Sequence, residues 1–246
     1  MRYFMDMSYL GTAYHGWQLQ DNAYTVQQEI EQALSTVLRV TTPVVASGRT
    51  DTGVHALQQI VHFDADEFDI SQIHFKLNSL LPKDIAIKSL QVVKDDAHAR
   101  FDAGSRSYEY HVHQEKNPFK IDLSYRYKPI LDLDRINEAC NWMKNWTDYQ
   151  SFSKVKTDVN NYHCTITHCQ WSRTTDGYRF DVSANRFLRN MIRAMVGTLI
   201  EIGLGKISVD EFIDILKAQH RSAAGTSVPA CGLYLSKVEY PKDIYL

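Results

Sequence analysis

Two hydrophobic periods alternate along this chain, and that alternation restricts the fold more than any single motif. Over the first ten residues Tyr3, Met5, Met7 and Tyr9 stand against Arg2, Asp6 and Ser8, the two-residue period of a half-buried strand. Residues 9–24 carry Gly11, Gly16, Asp21 and Asn22 and read as loop. Thr25 and Gln28 then form a capping box, and Val26, Ile30, Ala33, Leu34, Val37 and Leu38 follow at helical spacing. Short β-rich runs come at 43–47, 57–63 and 85–93. The second half repeats this grammar. Tyr108, Tyr110 and Val112 alternate along a strand, and Ile136, Cys140 and Met143 mark a helix over 134–147. Strands at 164–171 and 178–184, helices at 186–203 and 208–219, and a last strand near 233–240 complete it. The 208–219 helix opens on a second capping box, Ser208 with Glu211. Two β-α-β-β-like halves joined near residue 100 predict an α+β fold, with antiparallel sheets covered by helices on one face. The boundary is expected between 1–103 and 104–246.

A chain of 246 residues is long enough for one large domain or two small ones, with a sizeable core. Hydrophobic residues make up 44% and charged residues 23%, the balance of an ordered globular chain rather than a disordered one. A formal net charge of −2 does not announce a nucleic-acid partner, so basic groups serving one must be concentrated locally. The opening residues hold no apolar signal core, and no stretch nears the roughly 20 apolar residues of a membrane helix. Cys140, Cys164, Cys169 and Cys231 are too few and scattered for a disulfide framework. A cytoplasmic chain with free thiols, away from the membrane, is the expectation.

The densest local signal is Ser47-Gly48-Arg49-Thr50-Asp51-Thr52-Gly53-Val54-His55-Ala56. A strand from Pro43 to Ser47 delivers the chain into a turn flanked by two glycines, which permit positive φ and close approach of a ligand. A bare Asp-Thr-Gly would be read as a polar turn in which Asp51 caps nearby amides. Strand, glycines, Arg49 and Asp51 together favour function. A second signal is Arg186, Arg189 and Arg193, spaced to share one face of the 186–203 helix. The rest of that helix is so apolar that it should be central, and a buried guanidinium needs an anion such as Asp51 or an RNA phosphate. A third is Arg100-Phe101 with Arg106-Ser107-Tyr108: aromatics beside arginines can stack bases and hold phosphates, or simply form cross-strand pairs in a sheet. His163-Cys164 and His168-Cys169 hint at zinc, but their spacing fits no zinc module, and strand alternation would turn the two cysteines to opposite faces. No metal is expected.

Taken in order, these residues resemble the tRNA pseudouridine synthase A family. Its Gly-Arg-Thr-Asp-x-Gly-Val-His-Ala signature stands intact from Gly48 to Ala56. Its N-terminal loop is similar to Tyr9 through Gln20, its His-Ala-Arg-Phe stretch stands at His98 to Phe101, and its Arg-x-Tyr element stands at Arg106 to Tyr108. Phe187 to Arg193 carries Ile192 where the family has Val, and Gly232 to Leu235 matches its Gly-Leu-x-Leu ending. Leu10 stands where the family carries Asp, and Cys164 where an Arg is expected; both positions concern tRNA docking.

The resemblance implies two ferredoxin-like (RRM-like) halves with an active cleft between them, and a homodimer that grips one tRNA. It implies isomerisation of specific uridines in the anticodon stem-loop to pseudouridine, without cofactor. It implies Asp51 as the catalytic nucleophile with Arg193 as its ionic partner, and Tyr108 stacking on the flipped uracil and able to take part in proton transfer. Arg49 would hold a backbone phosphate or fill the vacated stack, Leu233 would pack near the base, and Arg186 and Arg189 would meet phosphates. Two other readings compete. A non-catalytic RNA-binding protein with ferredoxin-like sheets would have no reason to place a buried carboxylate at Asp51. An aspartic protease, suggested by Asp51-Thr52-Gly53, would need a second such triplet or a short all-β chain, and the strong helices oppose it.

Overall fold

The alternation at the N-terminus builds β1 (Arg2–Tyr9), and the capped segment after it builds α1 (Val26–Leu38), whose Thr25 hydroxyl accepts from the Gln28 amide. The computed structural model describes residues 1–155, 159 and 161–246. By its internal contacts the chain forms two units, one of residues 1–106 with 234–246 and one of residues 107–233. No helix among the described residues is long and apolar enough to cross a membrane.

In the first unit β2 (Val45–Ala46) and β3 (His55–Asp64) follow α1, then α2 (Ile70–Leu80) and β4 (Ile85–Val93). β1 lies between β3 and β4, antiparallel to both, and β2 pairs antiparallel with the far half of β3. β9 (Leu233–Glu239) joins β3 in parallel, with His55 opposite Tyr234 and Ala56 opposite Leu235. β1 is more buried than simple alternation predicts: Phe4, on the face opposite Tyr3 and Met5, is covered edge-on by Tyr240 and Tyr245. α2 has no counterpart in the periodicity reading. Only Ile73 and Leu77 of its face are buried while Phe75 is 71% exposed, so its stripe is too narrow to register.

In the second unit β5 (Ser105–His113), which begins at the unit boundary, neighbours β8 (Gly177–Ala184), and β8 pairs antiparallel with β7 (Ile166–Arg173). The short β6 (Tyr125–Arg126) runs parallel to β5. α3 (Leu133–Lys144) packs on β7 and on α4 (Met191–Gly203), and α5 (Val209–Ala218) packs on α3. The capping box at Ser208 and Glu211 is present in both directions. The α+β class of the expectation is thus present, with mostly antiparallel strand pairs.

α4 begins later than the apolar spacing predicts. Asn185 Oδ1 accepts from the Thr165 and Arg186 amides, which holds 185–186 against the start of β7. The Met191 amide then donates to Leu188 O, and Asn190 sits in the left-handed region at φ 63°, so the helix starts only at Met191. Arg186 and Arg189 therefore do not share a helix face with Arg193, and the three-arginine stripe does not exist as one. Phe187 and Leu188, counted as helical, belong to this connecting turn, with Leu188 buried and Phe187 edge-on to Tyr108.

Candidate active site and the loop that carries it

In the first unit the signature loop is held along its backbone, residue by residue. The Ser47 amide donates to Ile60 O, and Ser47 O accepts from Arg106 Nη2 at 2.9 Å. Gly48 O accepts from Gln59 Nε2 at 2.8 Å. The buried Thr50 is gripped twice: its hydroxyl pairs with Tyr9 OH at 2.8 Å and its carbonyl accepts from the Trp17 amide at 3.1 Å. Asp51 O accepts from the Val54 amide at 3.1 Å, closing a tight turn that Gly53 completes at φ 76°. The outcome is a half-buried Asp51 flanked by an exposed Arg49, both on a backbone with little freedom.

The loop of residues 10–17 presses on this turn from one side. A Cβ at Gly11 would lie 2.0 Å from Val54 O, and one at Gly16, where φ is +92°, would lie 2.5 Å from Thr50 O. His55 is buried and serves the same contact. Its Nδ1 accepts from the Gly11 amide at 3.0 Å, which puts the ring proton on Nε2, and its ring stacks on Tyr234 at 4.6 Å. The two glycines that flank the signature turn are not equivalent. A Cβ at Gly48 would meet nothing within 4 Å and its φ is not positive, so only Gly53 is required by conformation.

In the second unit Tyr108 lies half-buried on β5, with Phe187 edge-on at 5.2 Å. Arg193, in the first turn of α4, is half-buried; its Nε donates to Val228 O at 2.7 Å while its own carbonyl accepts from the Val228 amide. The Nε bond ties the guanidinium to the Val228 main chain. Burial raises the Tyr110 hydroxyl well above its usual range, and the Arg193 charge opposes that rise. Leu233, at the start of β9, is buried. Arg186 is half-buried near Cys164 and opposes the rise of that thiol, which burial pushes up to about 11. Arg189 is exposed on the turn before α4.

Sequence reasoning singled out Asp51, Arg49, Tyr108 and Arg193 but missed the residues that hold them. Arg106, read either as an RNA contact or as part of a sheet, binds main-chain oxygens of Ser47, Arg100 and Ala103. Gln59 carries no signal beyond its place in a β-rich run, and Tyr9 none that points to Thr50, because their partners come from distant segments. Cys164 precedes β7 rather than sharing it with Cys169, and both thiols are buried. Among the described residues no group of three or more His, Cys, Asp or Glu could hold a metal ion.

Comparison with known proteins identifies the family. The sequence profile of the tRNA pseudouridine synthase family matches residues 7–102 and 147–241. A Parabacteroides distasonis protein named tRNA pseudouridine synthase A is 46% identical over 246 residues, covering 99% of this chain and 98% of the relative. Its Bacteroides fragilis namesake is 46% identical over 247 residues with the same shares. A Bacillus subtilis protein of that name is 40% identical over 245 residues, 98% of this chain and 99% of its own. The signature loop, its braces and these full-length matches together show that this chain belongs to the tRNA pseudouridine synthase family.

Proposed function

We propose that this chain isomerises uridine to pseudouridine in the anticodon stem-loop of tRNA, with Asp51 as the catalytic carboxylate. Family membership carries the reaction, and the multiply braced turn that carries the half-buried Asp51 supports its role. The N1–C1′ bond breaks, the uracil turns, C5 bonds to C1′, and the C5 proton ends on N1. Every atom and electron stays within the nucleotide, so no oxidant, reductant or cofactor is consumed. Asp51 attacks the sugar or base, or stabilises positive charge developing at C1′.

Arg193 is assigned as the counter-ion that keeps Asp51 ionised in a dry site, and the half-burial of its charge at the first turn of α4 supports this. The target base must leave the stack to be reached. Arg49, exposed two residues before Asp51, holds a phosphate or fills the vacated space. Tyr108 stacks on the flipped uracil, Leu233 packs beside it, and Arg186 and Arg189 meet backbone phosphates. The strand order β4-β1-β3-β2 and the β-α-β-β-α-β chain order of the first unit support the ferredoxin-like reading of the halves. In that reading residues 1–103 carry the Asp51 loop, residues 104–246 carry Arg193, and the cleft lies between. A cytoplasmic homodimer gripping one tRNA completes the proposal.

The test is incubation with unmodified tRNA followed by pseudouridine mapping. Conversion of anticodon-arm uridines is expected. Binding without conversion of any uridine would overturn the proposal in favour of a non-catalytic RNA-binding protein.

A further inference from the structure

The His98-Ala99-Arg100-Phe101 stretch has no part in the chemistry above, yet it forms one of the most heavily braced turns of the first unit. His98 Nδ1 accepts from both the Arg100 and Phe101 amides, at 3.1 and 3.3 Å. Asp102 Oδ2 accepts from the His98 amide at 2.7 Å, and His62 Nδ1 accepts from the Ala99 amide at 3.1 Å. Tyr240 OH donates to Ala99 O, and Arg106 Nη2 donates to Arg100 O. At the tip of this turn stands Phe101, 72% exposed.

Phe101 differs from other exposed aromatics such as Phe75 and Phe119 in standing on a stack of rings. The rings form a ladder: His62 meets His98 at 4.6 Å between centroids, and His98 meets Phe101 at 4.2 Å. The Arg100 guanidinium lies 5.6 Å from the Phe101 centroid. The exposed neighbours in sequence are Lys94, Asp95, Asp96, Arg100, Asp102 and Gly104, five of the six charged. A charged surround with a single aromatic is unlike the core of a protein–protein interface, which is depleted in charge. The carboxylates also disfavour a phosphate. What fits is a neutral, flat, apolar face.

Resting on the reading of this protein as a tRNA-modifying enzyme, we propose that Phe101, with Arg100 beside it, is a stacking platform for an unpaired tRNA base other than the target uridine. Stacking on a side chain is sequence-tolerant and does not depend on charge neutralisation. The platform is pre-ordered, so little conformational freedom is lost on binding. Its placement is also useful. The Arg106 guanidinium that holds Arg100 O also holds Ser47 O, so the platform and the Asp51 loop share one brace. A base docked on Phe101 is therefore held on the same brace as that loop, where it adds affinity and leaves the register of the target uridine to the contacts around Asp51.

The experiment compares wild type, Phe101→Ala and Phe101→Trp with unmodified tRNA. Measured quantities are binding at several salt concentrations, single-turnover conversion at saturating enzyme, thermal unfolding and sedimentation. Alanine is expected to weaken tRNA binding by about tenfold, within the range for one base–aromatic stack. The dependence of log Kd on log salt should stay unchanged, because no phosphate contact is lost. Saturated conversion and unfolding temperature should match wild type, and tryptophan should restore affinity. Equal binding by the alanine variant, or no rescue by tryptophan, overturns the proposal while leaving the tRNA activity standing. A change in sedimentation without a change in tRNA affinity overturns it in favour of a contact between copies. Wild type that neither binds nor converts tRNA overturns the functional reading and this inference together.

Discussion

Gly16→Ala tests whether the 10–17 loop sets the position of the turn that carries Asp51. The new Cβ would stand 2.5 Å from Thr50 O, against the 3.0 Å below which real Cβ contacts essentially never fall. The backbone at Thr50, immediately before Asp51, must therefore give by at least half an ångström, and by nearly one to reach ordinary contact. It cannot do so freely, since Thr50 is also held by Tyr9 OH and the Trp17 amide. The φ of +92° at Gly16 adds strain of about 1–3 kcal/mol for any residue with a Cβ. A displacement near one ångström in a reacting group costs on the order of a hundredfold in rate. Gly16→Ala should thus lower the single-turnover rate of pseudouridine formation by about ten- to a hundredfold and lower the unfolding temperature by several degrees. Binding of tRNA should be nearly retained. Gly48→Ala is the control, because its Cβ meets nothing within 4 Å; its unfolding temperature should not change. A Gly16→Ala enzyme with wild-type rate and stability would refute the claim that this loop positions Asp51.

Asp51→Asn keeps the side-chain shape and leaves the main-chain turn to Val54 intact, yet should lower isomerisation by several orders of magnitude with tRNA binding preserved; near-normal product at saturating enzyme would remove Asp51 from the mechanism. Arg49→Ala should slow single-turnover conversion while largely keeping tRNA affinity, and a rate equal to wild type would exclude it from base flipping. Tyr108→Phe should keep substantial activity and Tyr108→Leu little if stacking dominates, whereas near-complete loss in both would assign a proton transfer to the hydroxyl. His62 titrates at about 4 against an ordinary 6.5, chiefly because it is buried and then because Arg2 and His98 lie near, with Asp64 and Asp102 opposing. Its folded pKa is depressed, so the unfolded chain binds the extra proton between those values, and stability is lost as pH falls from 6.5 towards 4, by roughly 3 kcal/mol over the whole window. Urea unfolding of His62→Gln across that range should show a flatter profile than wild type, and an identical slope would refute the assignment.

Local information reached far in this chain wherever the signal is itself local. Thr25 and Ser208 announce α1 and α5 because a hydroxyl that caps a helix bonds amides only three residues away. Residues 85–93 show the strand period and form β4 at those bounds, because alternation across a half-buried sheet is written in adjacent side chains. Asp51 and Arg49 were legible because glycines, a strand end and charged residues crowd into one short stretch. Tertiary structure decided the rest. The apolar run from Phe187 reads as helix, but the left-handed Asn190 and the Asn185 hold on Thr165 delay α4 to Met191, which removes Arg186 and Arg189 from the face of Arg193. Residues 234–246 return to the first unit because β9 pairs with β3, a partner some 180 positions away (the Val238 amide donates to Gln58 Oε1). Arg106 braces the signature loop for the same reason, since its acceptor Ser47 O is supplied by a segment 59 positions earlier. Periodicity and capping report what a residue's neighbours in sequence can bury or bond, whereas the partners of a catalytic loop are set only when distant segments close on it.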